Sequence, residues 1–183
     1  MLLPRIVRVL ACGLLAAGAS AETGAKGLPP PVLAAQKLMV DQGDCEKTWP
    51  SLYEATDAPS PIELGQGVKL WLAPCAQWAY NLDFAAYVTI PESSRPEGYI
   101  TKQLFFVNYS PFKKIYAENV VHNLRFDPAT GVATARYFLD RHDFCGTRAQ
   151  YRWDAGQQTF SLVELAAQDD CGHPDAPWVK IYP

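Results

Sequence analysis

Asp140, His142 and Asp143 set two carboxylates and an imidazole within four residues, close to Cys145. Those groups have the chemistry to hold a hard or borderline metal or to move a proton. Neighbouring residues alternate in direction, however, so a short run converges on one ion only with help from distant partners. The favoured reading is a charged surface turn held by a cross-link. His122 and Glu164 are the other catalytic candidates, each on the inward side of an alternating stretch. A core histidine hydrogen-bonded to tyrosine or backbone, and a glutamate emerging at a strand end, are the simpler accounts of them. His173 follows Asp169 and Asp170 but lies between Gly172 and Pro174, a loop setting. No nucleophile motif, phosphate loop or C-x-x-C pair stands out, so neither a metal nor a cofactor is expected.

The cysteines carry a different message. Arg5 and Arg8 precede an apolar run from Val9 to Gly18, and Ala19-Ser20-Ala21 has the small-x-small form of a signal-peptidase site. Cleavage near Ala21 would remove Cys12 and leave Cys45, Cys75, Cys145 and Cys171. The apolar run is too short to span a bilayer. An even cysteine set in an exported chain reads as disulfides. Three pairings are open, and sequential neighbours, Cys45 with Cys75 and Cys145 with Cys171, are favoured because each ties a local unit. Loss of Arg5 and Arg8 takes the formal charge from −3 to −5, a poor balance for nucleic acid. The expected location is periplasmic or secreted.

Positioning these groups falls to a mainly β chain. Residues 22–30 read as a flexible lead-in and residues 31–183 as one domain, large enough for its own core. Pro31 suits a first helical turn, with Val32, Leu33, Ala35, Leu38 and Met39 as the apolar stripe and Gly43 as the stop. From Tyr80 to Ile90 apolar residues alternate with Asn81, Asp83, Ala85, Tyr87 and Thr89, predicting a strand with one buried face. Further strands are expected at 69–73, 103–108, 120–126, 132–139, 148–153, 159–165 and 178–182. Residues 91–119 look irregular.

Two hairpins have definite registers. Asp127-Pro128-Ala129-Thr130-Gly131 turns the first, with Gly131 left-handed and Asp127 facing Val132. Val120, His122, Leu124 and Phe126 then share a face with Ala133, Ala135, Tyr137 and Leu139. Asp154-Ala155-Gly156 turns the second, setting Trp153 opposite Phe160 and Tyr151 opposite Leu162. The fold expected is an antiparallel meander, sandwich or barrel-like, with one short N-terminal helix. In these registers Arg125, Arg136, Arg148 and Arg152 all point away from the apolar face. They would make a basic stripe able to receive an anionic glycan, a lipid head group or an acidic protein, although polar residues outside a sheet are also ordinary. Tyr99, Tyr109, Phe112, Lys113, Lys114 and Tyr116 offer a second contact surface.

Several short motifs in order resemble one family: Leu70-Trp71-Leu72-Ala73-Pro74-Cys75 with Ala79-Tyr80-Asn81, Phe126-Asp127-Pro128, Asp143-Phe144-Cys145-Gly146, Tyr151-Arg152-Trp153-Asp154, Phe160 to Glu164, and Asp170-Cys171-Gly172. The chain is similar over about Cys45 to Tyr182 to the exported bacterial domain of unknown function 1176. The resemblance implies a Gram-negative, periplasmic protein and brings no activity with it. The family's glycine-rich stretch before the third cysteine is replaced here by Tyr137 to His142. Two functions remain: a non-catalytic binding or inhibitor-like envelope module facing an envelope protein or anionic glycan, or an envelope hydrolase or metal-dependent enzyme built on His122, Glu164 or the Asp140, His142 and Asp143 cluster.

Overall fold

Leu70, Leu72, Ala86 and Val88 alternate along two neighbouring strands with Trp71, Ala73, Ala85 and Tyr87, and both sets are buried. The computed structural model, which describes residues 27–48, 51, 61–140 and 144–183, shows why. One set faces a second sheet, and the other faces a helix. The 80–90 strand therefore has two covered faces instead of the single one expected from its alternation.

The helix, α1 (Pro30–Gln42), starts with prolines, whose missing N–H groups cost nothing in a first turn. It ends at Gly43, whose φ of 83° closes a left-handed cap as anticipated. Its buried positions are Val32, Gln36 and Met39, one face at i, i+4 and i+7. Leu38, assigned to the stripe from sequence, is instead exposed. Gln36 takes the inward place because its amide is satisfied there: Nε2 donates to the Pro74 carbonyl at 3.1 Å, and Oε1 accepts the Tyr87 hydroxyl at 2.8 Å. Leu28, within the supposed lead-in, is buried in the same helix–sheet core.

The first sheet contains β1 (Ile62–Gly65), β2 (Val68–Gln77), β3 (Leu82–Pro91) and β4 (Tyr99–Gln103) in sequence order. Two further strands, β5 (Phe106–Ser110) and β6 (Lys114–Glu118), form a separate ribbon, and β7 (Val120–His122) pairs back onto β3. The second sheet is a meander of β8 (Arg125–Asp127), β9 (Val132–Phe138), β10 (Gly146–Asp154), β11 (Thr159–Gln168) and β12 (Val179–Tyr182). Strand pairs are antiparallel throughout, and the two sheets stack as an open sandwich, without closing into a barrel.

Both hairpin registers match expectation: Asp127 faces Val132, Trp153 faces Phe160 and Tyr151 faces Leu162. In the first turn Gly131 has φ 68°, and the Asp127 carboxylate accepts the Ala129 N–H and the Thr130 hydroxyl. Three details differ from the sequence reading. The 120–126 strand is broken at Asn123, φ 46°, so that β7 belongs to one sheet and β8 to the other. Val121 faces the inter-sheet core rather than Val120 or His122, and Leu124 and Phe126 rejoin it after the break. The 103–108 strand is likewise split between β4 and β5, and the irregular 91–119 region contains the ordered β5–β6 ribbon.

Both disulfides join the sequential neighbours: Cys45 with Cys75 and Cys145 with Cys171, 30 and 26 residues apart. The first fastens the end of the helix to β2. The second ties the start of β10 to the segment after β11. Among the described residues, no helix is long and apolar enough to cross a membrane.

Candidate functional site

Cross-strand pairing brings His122 directly opposite Asp83. The imidazole Nδ1 lies 2.6 Å from Asp83 Oδ1, and Nε2 lies 3.6 Å from Glu118 Oε1. Each carboxylate is itself held: Asp83 Oδ2 accepts the Trp78 indole N–H at 2.8 Å, and Glu118 Oε1 accepts an amide N–H of Asn108 at 2.7 Å. The Tyr137 ring packs on the imidazole at 4.6 Å between centroids. Burial penalises the imidazolium, but the hydrogen bonds and charges of Asp83 and Glu118 outweigh it and raise the His122 pKa to about 9. At neutral pH the ring is a cation held between two anions. Its two N–H groups can donate, and neither nitrogen has a lone pair to offer a substrate.

The other catalytic candidates lie apart from this group. An extra residue in β11 shifts the pairing, so that Gln150 faces Glu164 while Tyr151 faces Leu162. This bulge at Val163 reverses the alternation and sets Glu164 beside exposed Gln150, on the outer face instead of inward. Asp140 Oδ1 accepts the backbone N–H of Phe144 at 3.1 Å, as a loop-shaping carboxylate does. His142 and Asp143 lie outside the described residues, as does the 1–21 segment. His173 pairs locally with Asp170 at 2.6 Å, and that hydrogen bond lowers the Asp170 pKa. Among the described residues, no three His, Cys, Asp or Glu side chains are arranged to hold a metal ion.

The four arginines occupy the outer face of the second sheet. Arg136 stands directly opposite Arg148, Arg125 opposite Thr134, and Arg152 between Val132 and Ser161. The Arg148 guanidinium lies over the Trp178 ring at 3.8 Å from its centroid. Arg125 and Arg136 share with Asn123, Thr134 and Phe138 the wall of a pocket of about 290 Å³. Asn123 shapes it: its side chain accepts the Leu82 N–H and donates to Asn81 Oδ1 and to the Arg136 carbonyl. Asn81 in turn bonds the Phe138 N–H and carbonyl at 2.8 and 2.9 Å, stitching the two sheets together at this end. His122 and Tyr137 also border one small crevice with Ala135, Ala149 and Tyr151, on the side of the second sheet away from the arginine face.

Sequence reasoning missed Asp83, Glu118 and Trp78. The available signal was Asp83 itself, a carboxylate on a strand face otherwise occupied by Ala85 and Tyr87.

The fold and its disulfides define a cross-linked antiparallel β-sandwich with a helix on one outer face and arginines on the other. The chain belongs to the family described as protein of unknown function (DUF1176), whose model matches residues 15–183. No curated protein and no solved structure matches it.

Proposed function

We propose that this is a non-catalytic binding module of the cell envelope, periplasmic or secreted after cleavage near Ala21, that takes anionic groups of an envelope glycan on its arginine face. The observation that carries this reading is the presence of Arg125 and Arg136 in the wall of one concave pocket. Two guanidiniums with planar forked donors suit a carboxylate or phosphate. The Thr134 hydroxyl adds a polar contact, and the Phe138 ring offers an apolar surface for a sugar face. A volume near the lower end for ligand pockets suits one anionic sugar unit at a time, with the rest of a chain running over Arg148 and Arg152.

The two disulfides support an oxidising compartment. Against an enzymatic reading stands the state of His122, a paired imidazolium rather than a base. Calorimetric titration with an oligogalacturonate, a polycarboxylated sugar chain, tests the proposal. Arg125→Ser combined with Arg136→Ser should weaken binding at least about tenfold, and Arg152→Ser much less. Equal affinity for the double variant and the parent would remove the pocket from the account. A lack of binding to anionic chains of any kind would remove the function.

A further inference from the structure

The β5–β6 ribbon ends in a tip that nothing in the arginine pocket explains. Ser110 pairs with Lys114, leaving Pro111, Phe112 and Lys113 as a three-residue loop. The loop is built, not slack: the Lys113 N–H donates to Ser110 Oγ at 2.9 Å, and the Lys113 ammonium lies 4.8 Å from the Tyr116 ring centroid. At the other end of the ribbon Phe106 is fully buried, packed against Tyr151 and Phe160. The tip is therefore carried on a strand rooted in the core. At its apex Phe112 is 97% exposed, and Ile115 just behind it is exposed as well.

We propose that this tip is a peripheral membrane contact, in which the Phe112 ring enters the boundary of an anionic phospholipid bilayer while Lys113 and Lys114 meet the phosphates. Charge and shape favour lipid over a protein pocket. From Tyr109 to Ala117 the chain has two lysines and no acid, within a sequence of net charge −3. A convex knob of this size presents far less than the roughly 800 Å² per partner of a stable protein interface, whereas a bilayer asks for little more than an apolar apex ringed by cations. Lys114 adds an independent sign. Its φ of 59° lies in the left-handed region where glycine sits without strain, yet the position carries a charged side chain.

Cosedimentation of the full mature chain with vesicles of phosphatidylethanolamine and phosphatidylglycerol tests the proposal. Roughly half of the protein should bind near millimolar accessible lipid, the reversible range of a single weak anchor. Phe112→Ser should reduce partitioning about tenfold, and each lysine removed about fivefold. Lys114→Gly should raise the melting temperature while weakening vesicle binding, a split that a purely structural lysine would not produce. Vesicles of phosphatidylcholine alone should bind weakly. Partitioning that ignores Phe112→Ser, or that is equal on neutral vesicles, overturns the proposal. So does a photo-crosslinker at position 112 that captures one envelope protein while anionic vesicles bind nothing.

Discussion

His122 is the residue at which charge, burial and fold meet. Its folded pKa of about 9 lies above the usual value of 6.5, so the Asp83 and Glu118 contacts favour the folded state when the ring is protonated. That contribution is complete below about pH 6.5 and is lost as the pH rises through about 9, on the order of 3 kcal/mol. Urea unfolding at pH 6 and pH 9.5 should show the midpoint falling at the higher pH. In His122→Gln the difference should largely vanish. A parent protein equally stable at both values would mean that the ion triad does not form. From sequence, His122 was placed inward on the apolar face with Tyr137, and its carboxylate partners were not legible. Asp83 comes from a strand 39 residues earlier, and the pairing that brings it opposite exists only because β7 crosses back to the first sheet.

Elements were readable where a turn fixed them. The Asp127 to Gly131 and Asp154 to Thr159 hairpins follow from local chemistry: an Asx carboxylate opens each, with a proline and a left-handed glycine in the first and a left-handed Gln158 in the second, and the alternation does the rest. The 91–119 region gave no such cue, because its ribbon turns at Pro111 with Lys114 in place of glycine. The break at Asn123 was also silent, as nothing in Val120 to Phe126 interrupts a β pattern. There the amide holds three partners while the backbone stays left-handed. Asn123→Gly, which keeps the backbone free to adopt that shape, should cost about 2 kcal/mol through orphaned polar groups. Asn123→Ala should cost about 1 kcal/mol more. Chemical denaturation of the pair separates the two effects, and equal losses would show that the backbone conformation is not the issue.

Across the whole molecule, the mainly β class and the cysteine pairing were legible, while the layering was not. Alternation on β3 suggested one covered face, and only the apolar character of Ala85 and Tyr87 hinted at a helix on the other. The two cross-links then act in different layers: Cys45–Cys75 holds the helix to the first sheet, and Cys145–Cys171 holds the start of β10, the central strand of the second, to the segment after β11. Each closes a loop worth about 3–4 kcal/mol, so replacing either pair by serines should lower the melting temperature by roughly 10 °C. Scanning calorimetry of the two variants checks this, and an unchanged melt for either would mean that its bridge contributes nothing.

Gly146, φ 135°, follows Cys145 where a Cβ would come within 1.9 Å of the Tyr137 carbonyl, so the bridged corner admits no larger residue. The unpaired Val163 has the opposite consequence. Up to Leu162 the even-numbered side chains of β11 look inward, and from Leu165 the odd-numbered ones do. Losing that one residue would remove the bulge and leave plain alternation, with Glu164 still facing Gln150 on the wet side and Leu165 still facing Ala149 on the dry one. This strand can therefore shorten by a single residue without turning any of its side chains over.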